Sequence, residues 1–198
     1  PLRTMGAHID TTDAGTAPLR IHAVADGLRG ISYTSPIASA QVKSALLLAG
    51  LYAQGTTEVR EPEASRDHTE RMLAAFGVEI EAEPGRAQLR GEQQLRATDV
   101  AVPADISSAA FFMVGAAITP DADVLLRDVG INPTRVGIVE ILRRMGADIE
   151  MSTPRLVGGE PVADIRVKGG RLQGIHIDRE LVAPAIDEFP AIFVAAAC

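Results

Sequence analysis

One phrase occurs three times in this chain: Met5-Gly6-Ala7-His8-Ile9, Phe76-Gly77-Val78-Glu79-Ile80 and Met145-Gly146-Ala147-Asp148-Ile149. The copies lie about 70 residues apart, a fixed period that calls for a fold assembled from copies of one supersecondary unit. Each copy follows a helix-like stretch carrying leucine and arginine: Leu2-Arg3, Arg71-Met72-Leu73 and Leu142-Arg143-Arg144. The period is too long for the common solenoid repeats. It suits a compact α/β unit of two helices and several strands.

The first unit is partial. Residues 7–10, 19–24 and 28–33 read as strands, with a turn-rich loop over 11–16. The second opens on a helix over 39–54, where Val42, Ala45, Leu46, Ala49 and Ala53 recur at helical spacing and Gly55 supplies the stop. A strand over 56–60 follows, then a helix over 66–76 carrying Met72, Leu73 and Phe76 inward, then strands over 78–82, 87–90 and 99–102. The third unit repeats the order, with helices over 106–118 and 134–145 and strands over 123–127, 148–151, 163–167 and 174–177. A further helix begins near Asp187. The same ruler aligns the helix starts Ser39-Ala40-Gln41, Ser107-Ser108-Ala109 and Asp187-Glu188-Phe189. The best domain boundary is Pro103-Ala104, where the second unit ends.

Composition narrows the function. Of 198 residues, 46% are hydrophobic but only 4% aromatic, so the core is packed mainly by Ala, Leu, Val and Ile. A net charge of −7 argues against a nucleic-acid footprint, which needs a basic surface. The lone Cys198 cannot form an internal disulfide and fits a reducing, cytoplasmic compartment. No apolar run reaches membrane-spanning length, and the first residues do not read as a signal peptide. The chain starts at Pro1 and stops at Cys198 within helix-like stretches, so it reads as a piece of a longer protein.

Four segments can carry chemistry. Ser39-Ala40-Gln41 opens a helix, whose N-terminus can hold a phosphate; Ser39 serves equally as a plain N-cap. The polar run from Ser65 through Arg66 to Glu70 matches a capping start, and it can also bring Arg66 to an anionic ligand, because the guanidinium fork suits phosphate. Asp187, ahead of Pro190 and an Ala-rich helix, can be an N-cap or a general base. Asp105 and Ser107 read as caps satisfying helix N–H groups. His8, His22, His68 and His176 are scattered without metal-ligand spacing, so no metal and no cofactor is expected. No glycine-rich phosphate loop of either common pattern is present.

The runs SPIASAQVKSALLLAGL, GTTEVREPEASRDHTERMLAAFGVEI, PADISSAAFF and DEFPAIFVAAA together resemble the EPSP synthase family of enolpyruvyl transferases, over essentially the whole chain and in the right order. The resemblance implies two domains of βαβαββ units, each an inside-out α/β barrel, here incomplete. Residues 1–103 would be the later two-thirds of one domain and 104–198 the first part of the other. It implies transfer of the enolpyruvyl group of phosphoenolpyruvate to the 5-hydroxyl of shikimate 3-phosphate, by addition and elimination, in a mostly monomeric cytoplasmic enzyme. Ser39, Ala40, Gln41 and Arg66 would bind shikimate 3-phosphate, with Gln41 also near phosphoenolpyruvate. Asp187 would hold the shikimate hydroxyls and accept the proton.

The family's N-terminal Lys-Ser-Arg cluster and a later RxKE stretch are absent from these residues, so the isolated piece is expected to be inactive. Two alternatives remain. One is the sister transferase acting on a UDP-amino sugar, which lacks the SRDHTER phrase. The other is a non-catalytic βαβαββ RNA-binding module, against which the acidic charge and scarce aromatics speak.

Overall fold

The computed structural model describes residues 1–198, which form two compact units, Pro1–Thr98 and Asp99–Cys198. In the first unit the elements are β1 (His8–Asp10), β2 (Arg20–His22), β3 (Leu28–Arg29), β4 (Ser32–Thr34), α1 (Ala40–Gly50), β5 (Ala53–Gln54), β6 (Thr56–Arg60), α2 (His68–Ala75), β7 (Ile80–Glu83) and β8 (Arg86–Arg90). β1 pairs antiparallel with β2, and β3 pairs parallel with β5. The main sheet has the order β4-β6-β8-β7 and is antiparallel except for the β4–β6 pair. The helices cover this sheet: Leu47, Leu51 and Leu73 are buried with Val78, Ala87 and Leu89, and Leu46 is buried with Met5, Ala53 and Val59.

The second unit contains α3 (Ile106–Ile118), β9 (Asp123–Gly130), α4 (Gly137–Arg144), β10 (Asp148–Val157), β11 (Glu160–Lys168), α5 (Arg179–Val182), a 3-10 turn (Ala183–Glu188) and α6 (Phe189–Ala197). Its sheet, β10-β11-β9, is antiparallel throughout. The order helix, strand, helix, strand, strand over α3 to β11 is that of α1 to β8 with the two-residue β5 set aside. In both units the last strand inserts between the other two: β6-β8-β7 and β9-β11-β10. α4 shows how pattern dictates placement. Ile138, Ile141 and Leu142 fall on one face at helical spacing and are fully buried, while Glu140, Arg143 and Arg144 face out.

The thrice-repeated phrase is one turn built three times. Gly6, Gly77 and Gly146 all adopt the left-handed region, at φ 97°, 83° and 94°. Their N–H groups donate to Arg3, Ala74 and Arg143, and the next residues' N–H groups donate to Leu2, Leu73 and Leu142. This pair of bonds satisfies carbonyls that a helix end leaves open, and glycine is the residue that adopts the required φ without a Cβ penalty. The preceding carbonyls, of Met5, Phe76 and Met145, are taken by the N–H groups of Arg29, Arg96 and Gln173. In the outer copies an arginine adds a brace: Arg3 donates to the carbonyl of Ile9, and Arg143 to that of Ile149.

Several expectations need correction. The strand read over 28–33 is two strands in different sheets, broken at Gly30, where a Cβ would lie 2.2 Å from the Thr56 carbonyl oxygen. The strands expected over 99–102 and 174–177 do not form; the only pairing near the first is an isolated bridge from Ala104 to Val129. β10 and β11 run far longer than expected, because Gly158 and Gly159, both at positive φ, fold them into a hairpin. α1 ends at Gly50 and is rotated from the anticipated face: Lys43, Leu46, Leu47 and Gly50 are buried and Ala45 is exposed. On α2, Met72 is exposed, and Glu70 and Leu73 are the buried pair. No helix is long and apolar enough to cross a membrane.

One polar cluster locks the main sheet. Glu58 of β6 accepts from Arg86 of β8, Arg60 of its own strand and Ser32 of β4, at 2.7, 2.8 and 2.8 Å. Those bonds, Arg86 first, pull its carboxyl down to about 2 from 4.5. A depressed carboxylate stabilises the fold above its unfolded pKa and loses that contribution as pH falls through the folded value. Arg86→Gln is expected to raise the Glu58 midpoint toward 4.5, read by NMR titration, and to shift the onset of acid unfolding of this unit upward.

The glycines give a second test, read by urea unfolding. Gly146→Ala meets only backbone strain and is expected to cost about 1–2 kcal/mol. Gly169→Ala places a Cβ 1.9 Å from the Thr119 carbonyl oxygen. It is expected to cost about 3 kcal/mol or more, since backbone must move.

Candidate active site

In the first unit the site begins at the α1 N-terminus. Ser39 is extended, at φ −151°, and its Oγ accepts from the Val42 N–H at 3.4 Å. The same hydroxyl donates to Gln41 Oε1 at 3.5 Å. The Ser39 N–H is taken by Glu61 Oε1 at 2.7 Å. The N–H groups of Ala40 and Gln41 have no acceptor in the protein, so the helix presents two unsatisfied donors at the positive end of its dipole. Ser39 is therefore an N-cap whose arrangement leaves an anion-ready edge beside it.

Glu61 sits just past β6, and it also accepts from Ser65 Oγ at 2.6 Å. Arg66, the next residue, lies half-buried in the loop leading into α2. Ser39 and the Arg66 loop thus share one carboxylate. Behind Glu61 stands Lys43, whose Nζ is 3.1 Å from Glu61 Oε2 and 2.8 Å from Glu70 Oε1. All three side chains are at most 5% exposed. The Ser44 and Thr69 hydroxyls, 2.7 Å apart, add a second link between α1 and α2. In the sequence alone Glu70 belongs only to the polar run that opens α2, and no site role falls to it, to Lys43 or to Glu61. The available signal was a lysine at a position of α1 that otherwise continues the apolar face, which demands a buried anion.

In the second unit Asp187 lies in the 3-10 turn that leads into α6, with its carboxylate partly exposed. It does not cap α6; Glu188 holds that position and makes no side-chain cap bond. Instead Glu188 is buried and accepts from Ser107 Oγ at 2.5 Å. Ser107 in turn accepts from Arg135 Nη2 at 2.5 Å. That guanidinium nitrogen also lies 3.5 Å from Glu188, 3.7 Å from Asp187 and 3.9 Å from Asp105. One buried-edge arginine therefore faces three carboxylates drawn from the α3 start and the α6 start.

Capping of α3 falls to Asp105 alone, which accepts from the Ser108 N–H and hydroxyl, each at 2.9 Å. Ser107, expected to share the capping, is diverted to Glu188. Burial pushes the Asp105 carboxyl up, but the Ser108 bonds, the Ser107 N–H and Arg135 outweigh it and hold the group below the usual carboxylate range. The helix starts therefore align differently from the sequence ruler. The cap positions are Ser39, Asp105 and Glu188, with Ser107 two residues past its cap and Asp187 one residue ahead of Glu188. No three His, Cys, Asp or Glu side chains gather in metal-holding geometry.

Removing one member of a buried ion pair strands its partner, which costs roughly 3–5 kcal/mol. Arg135→Met is expected to destabilise the second unit by about 3 kcal/mol, and Arg135→Met with Glu188→Leu to recover most of that loss. Denaturant unfolding of the single and double variants measures both.

The sequence and the fold both find close relatives. The family described as EPSP synthase (3-phosphoshikimate 1-carboxyvinyltransferase) matches residues 1–198. The 3-phosphoshikimate 1-carboxyvinyltransferase of Methylococcus capsulatus is 64% identical, over all of this chain and 45% of that protein. The enzyme of the same name from Xanthomonas oryzae pv. oryzae is 61% identical, over 99% of this chain and 44% of its own length. The solved EPSP synthase of Acinetobacter baumannii superposes with a TM-score of 0.93 at 58% identity, over 100% of this chain and 45% of that one. The enolpyruvyl transferase NikO of Streptomyces tendae shares the fold at a TM-score of 0.75 and 19% identity, over 99% of this chain and 47% of that one. The chain thus spans about 45% of the length of the curated relatives it matches. Its mixed α/β fold is that of the enolpyruvyl transferase structures over part of their chains. With all 198 residues accounted for by one family description, and identities near 60%, the chain belongs to the EPSP synthase family.

Proposed function

We propose that the whole protein transfers the enolpyruvyl group of phosphoenolpyruvate to the 5-hydroxyl of shikimate 3-phosphate and releases phosphate. The observation that carries this reading is the α1 start. There an N-cap serine, two unsatisfied N–H donors and an arginine loop are drawn together on a carboxylate within a chain of this family. Ser39 and the Ala40 and Gln41 backbone hold the shikimate phosphate, and Gln41 reaches toward phosphoenolpyruvate. Arg66 adds the charge and fork geometry that a phosphate dianion needs.

Asp187 is the base in this reading. The 5-hydroxyl is a weak nucleophile and must lose its proton as it attacks. Its oxygen bonds to C2 of phosphoenolpyruvate while the methylene carbon gains a proton, giving a tetrahedral intermediate. Loss of a methyl proton with departure of phosphate then restores the double bond. Asp187 accepts the hydroxyl proton, and Arg135, 3.7 Å away, keeps a cation beside the carboxylate. Further cations for the two phosphates and the carboxylate, and the second proton-transfer group, come from outside these residues.

The same reading arranges the chain in tandem βαβαββ units of an inside-out α/β barrel. Residues 1–103 then belong to one barrel domain and 104–198 to the other, in a cytoplasmic monomer. The repeated helix-end turn and the matching strand order in the two units support it.

Phosphate release by the full-length protein tests the assignment. Asp187→Ala is expected to lower kcat by about 100-fold or more with little change in the KM for shikimate 3-phosphate, because base catalysis acts in the transition state. Arg66→Ala is expected to raise that KM about tenfold or more and to spare kcat. A kcat for Asp187→Ala within about threefold of the parent would overturn the base assignment. The 198-residue piece alone is expected to show no turnover.

A further inference from the structure

We propose that Glu61 is a positioning residue for substrate: one buried carboxylate that sets the Ser39 helix start and the Ser65-Arg66 loop at a fixed spacing, itself fixed by Lys43. The proposal rests on the reading of the α1 start as the shikimate 3-phosphate site. Its basis is a division of labour between two oxygens. Oε1 takes the Ser39 N–H at 2.7 Å, and Oε2 takes the Ser65 hydroxyl at 2.6 Å and Lys43 Nζ at 3.1 Å. Neither segment is held by regular secondary structure at that point. Ser39 lies before the first turn of α1, and Ser65 lies in the loop before α2. Their common anchor is this carboxylate.

Placement of charge supports the role. A carboxylate at a helix N-terminus would ordinarily compete with an incoming phosphate for the same positive end. Here Glu61 takes only the outermost N–H, that of Ser39, and Ser39 Oγ takes that of Val42. The N–H groups of Ala40 and Gln41, between them, stay open. Lys43, one turn along α1 and 4% exposed, faces the Glu61 charge from the protein side and blunts its repulsion of an anion. The lysine is held in turn by Glu70 at 2.8 Å, on the first turn of α2, where a negative charge is favoured by the dipole. The series Ser39, Glu61, Lys43, Glu70 therefore ties α1, the post-β6 loop and α2 into one rigid base. A ligand that must touch both Ser39 and Arg66 gains from having that spacing set before it arrives.

The test uses full-length protein. Glu61→Gln keeps the size and one acceptor oxygen but cannot accept on both sides at full charge. Ser65→Ala removes one arm of the clamp and leaves the buried charges unchanged, so it folds even if the first variant does not. Leu73→Val, in the core of the same unit, controls for general destabilisation. Glu61→Gln is expected to raise the KM and Kd for shikimate 3-phosphate about tenfold and Ser65→Ala about threefold, with kcat within about threefold in both. Leu73→Val should lower Tm without moving KM. Unchanged KM and Kd in Glu61→Gln and Ser65→Ala, or an equal rise in Leu73→Val, overturns the clamp. Absence of shikimate 3-phosphate binding by the unaltered protein, measured by calorimetry, overturns the reading of the site itself and the clamp with it.

Discussion

A helix or helical turn that must hand its chain to a strand has to change direction within a few residues, and its last carbonyls must find donors as it does so. Gly6, Gly77 and Gly146 meet that demand with the same φ and the same pair of backbone bonds. Everything downstream inherits the direction they set. In the second unit, the strand after Gly146 is β10, and its pairing with β11 brings Val167 and Ile165 under α3 and α4. In the first, Val78 follows Gly77 directly into the cluster formed with Leu47 and Leu89. The turn sets where the sheet lies, and the sheet then fixes where the helix starts can stand.

Those helix starts are where buried charge collects. In the first unit Lys43 lies between Glu61 and Glu70, and in the second Arg135 lies among Asp105, Asp187 and Glu188. The chemical choice differs with the surroundings. The Lys43 ammonium, a single compact charge, meets two buried carboxylates, whereas one guanidinium nitrogen of Arg135 meets the Ser107 hydroxyl and three carboxylates at a partly open edge. Each cluster leaves one carboxylate oxygen buried without a partner, Oε2 of Glu70 and Oε2 of Glu188. Such atoms destabilise the fold, so neither cluster is explained by stability alone. Both sit directly behind residues proposed to handle substrate.

Much of this was legible in the residues. The three-copy phrase located the turns, α3 was read to the residue, and Thr56–Arg60 was read to the residue as β6. Family resemblance rested on contiguous strings that composition could not have mimicked. What escaped were features that depend on long-range geometry. The face of α1 was misread because Lys43 counts as polar in a periodicity yet is buried by carboxylates 18 and 27 residues away. The length of β10 and β11 escaped because their outer arms, around Thr153 and Glu160, carry no alternation; a Gly-Gly hairpin turn extends them. A serine near a helix start usually caps it, which is the role the residues alone suggest for Ser107. Its actual partner, Glu188, is 81 residues away.

The diversion of Ser107 marks a difference between the two helix starts. Both carry a helix start with a short polar side chain and a second loop bearing an arginine, Arg66 in one and Arg135 in the other. In the first unit the N–H groups of Ala40 and Gln41 stay open, and the local carboxylate, Glu61, is paired from behind with Lys43. Anion binding is what such an edge favours. In the second unit Asp105 occupies the helix end with its own charge, and Arg135 is drawn inward to Ser107 and Glu188. An edge already filled by carboxylates repels phosphate and suits the handling of a hydroxyl and its proton instead. On the proposed reading, the same framework would serve as a binder or a base according to which side of the helix start its counter-charge occupies.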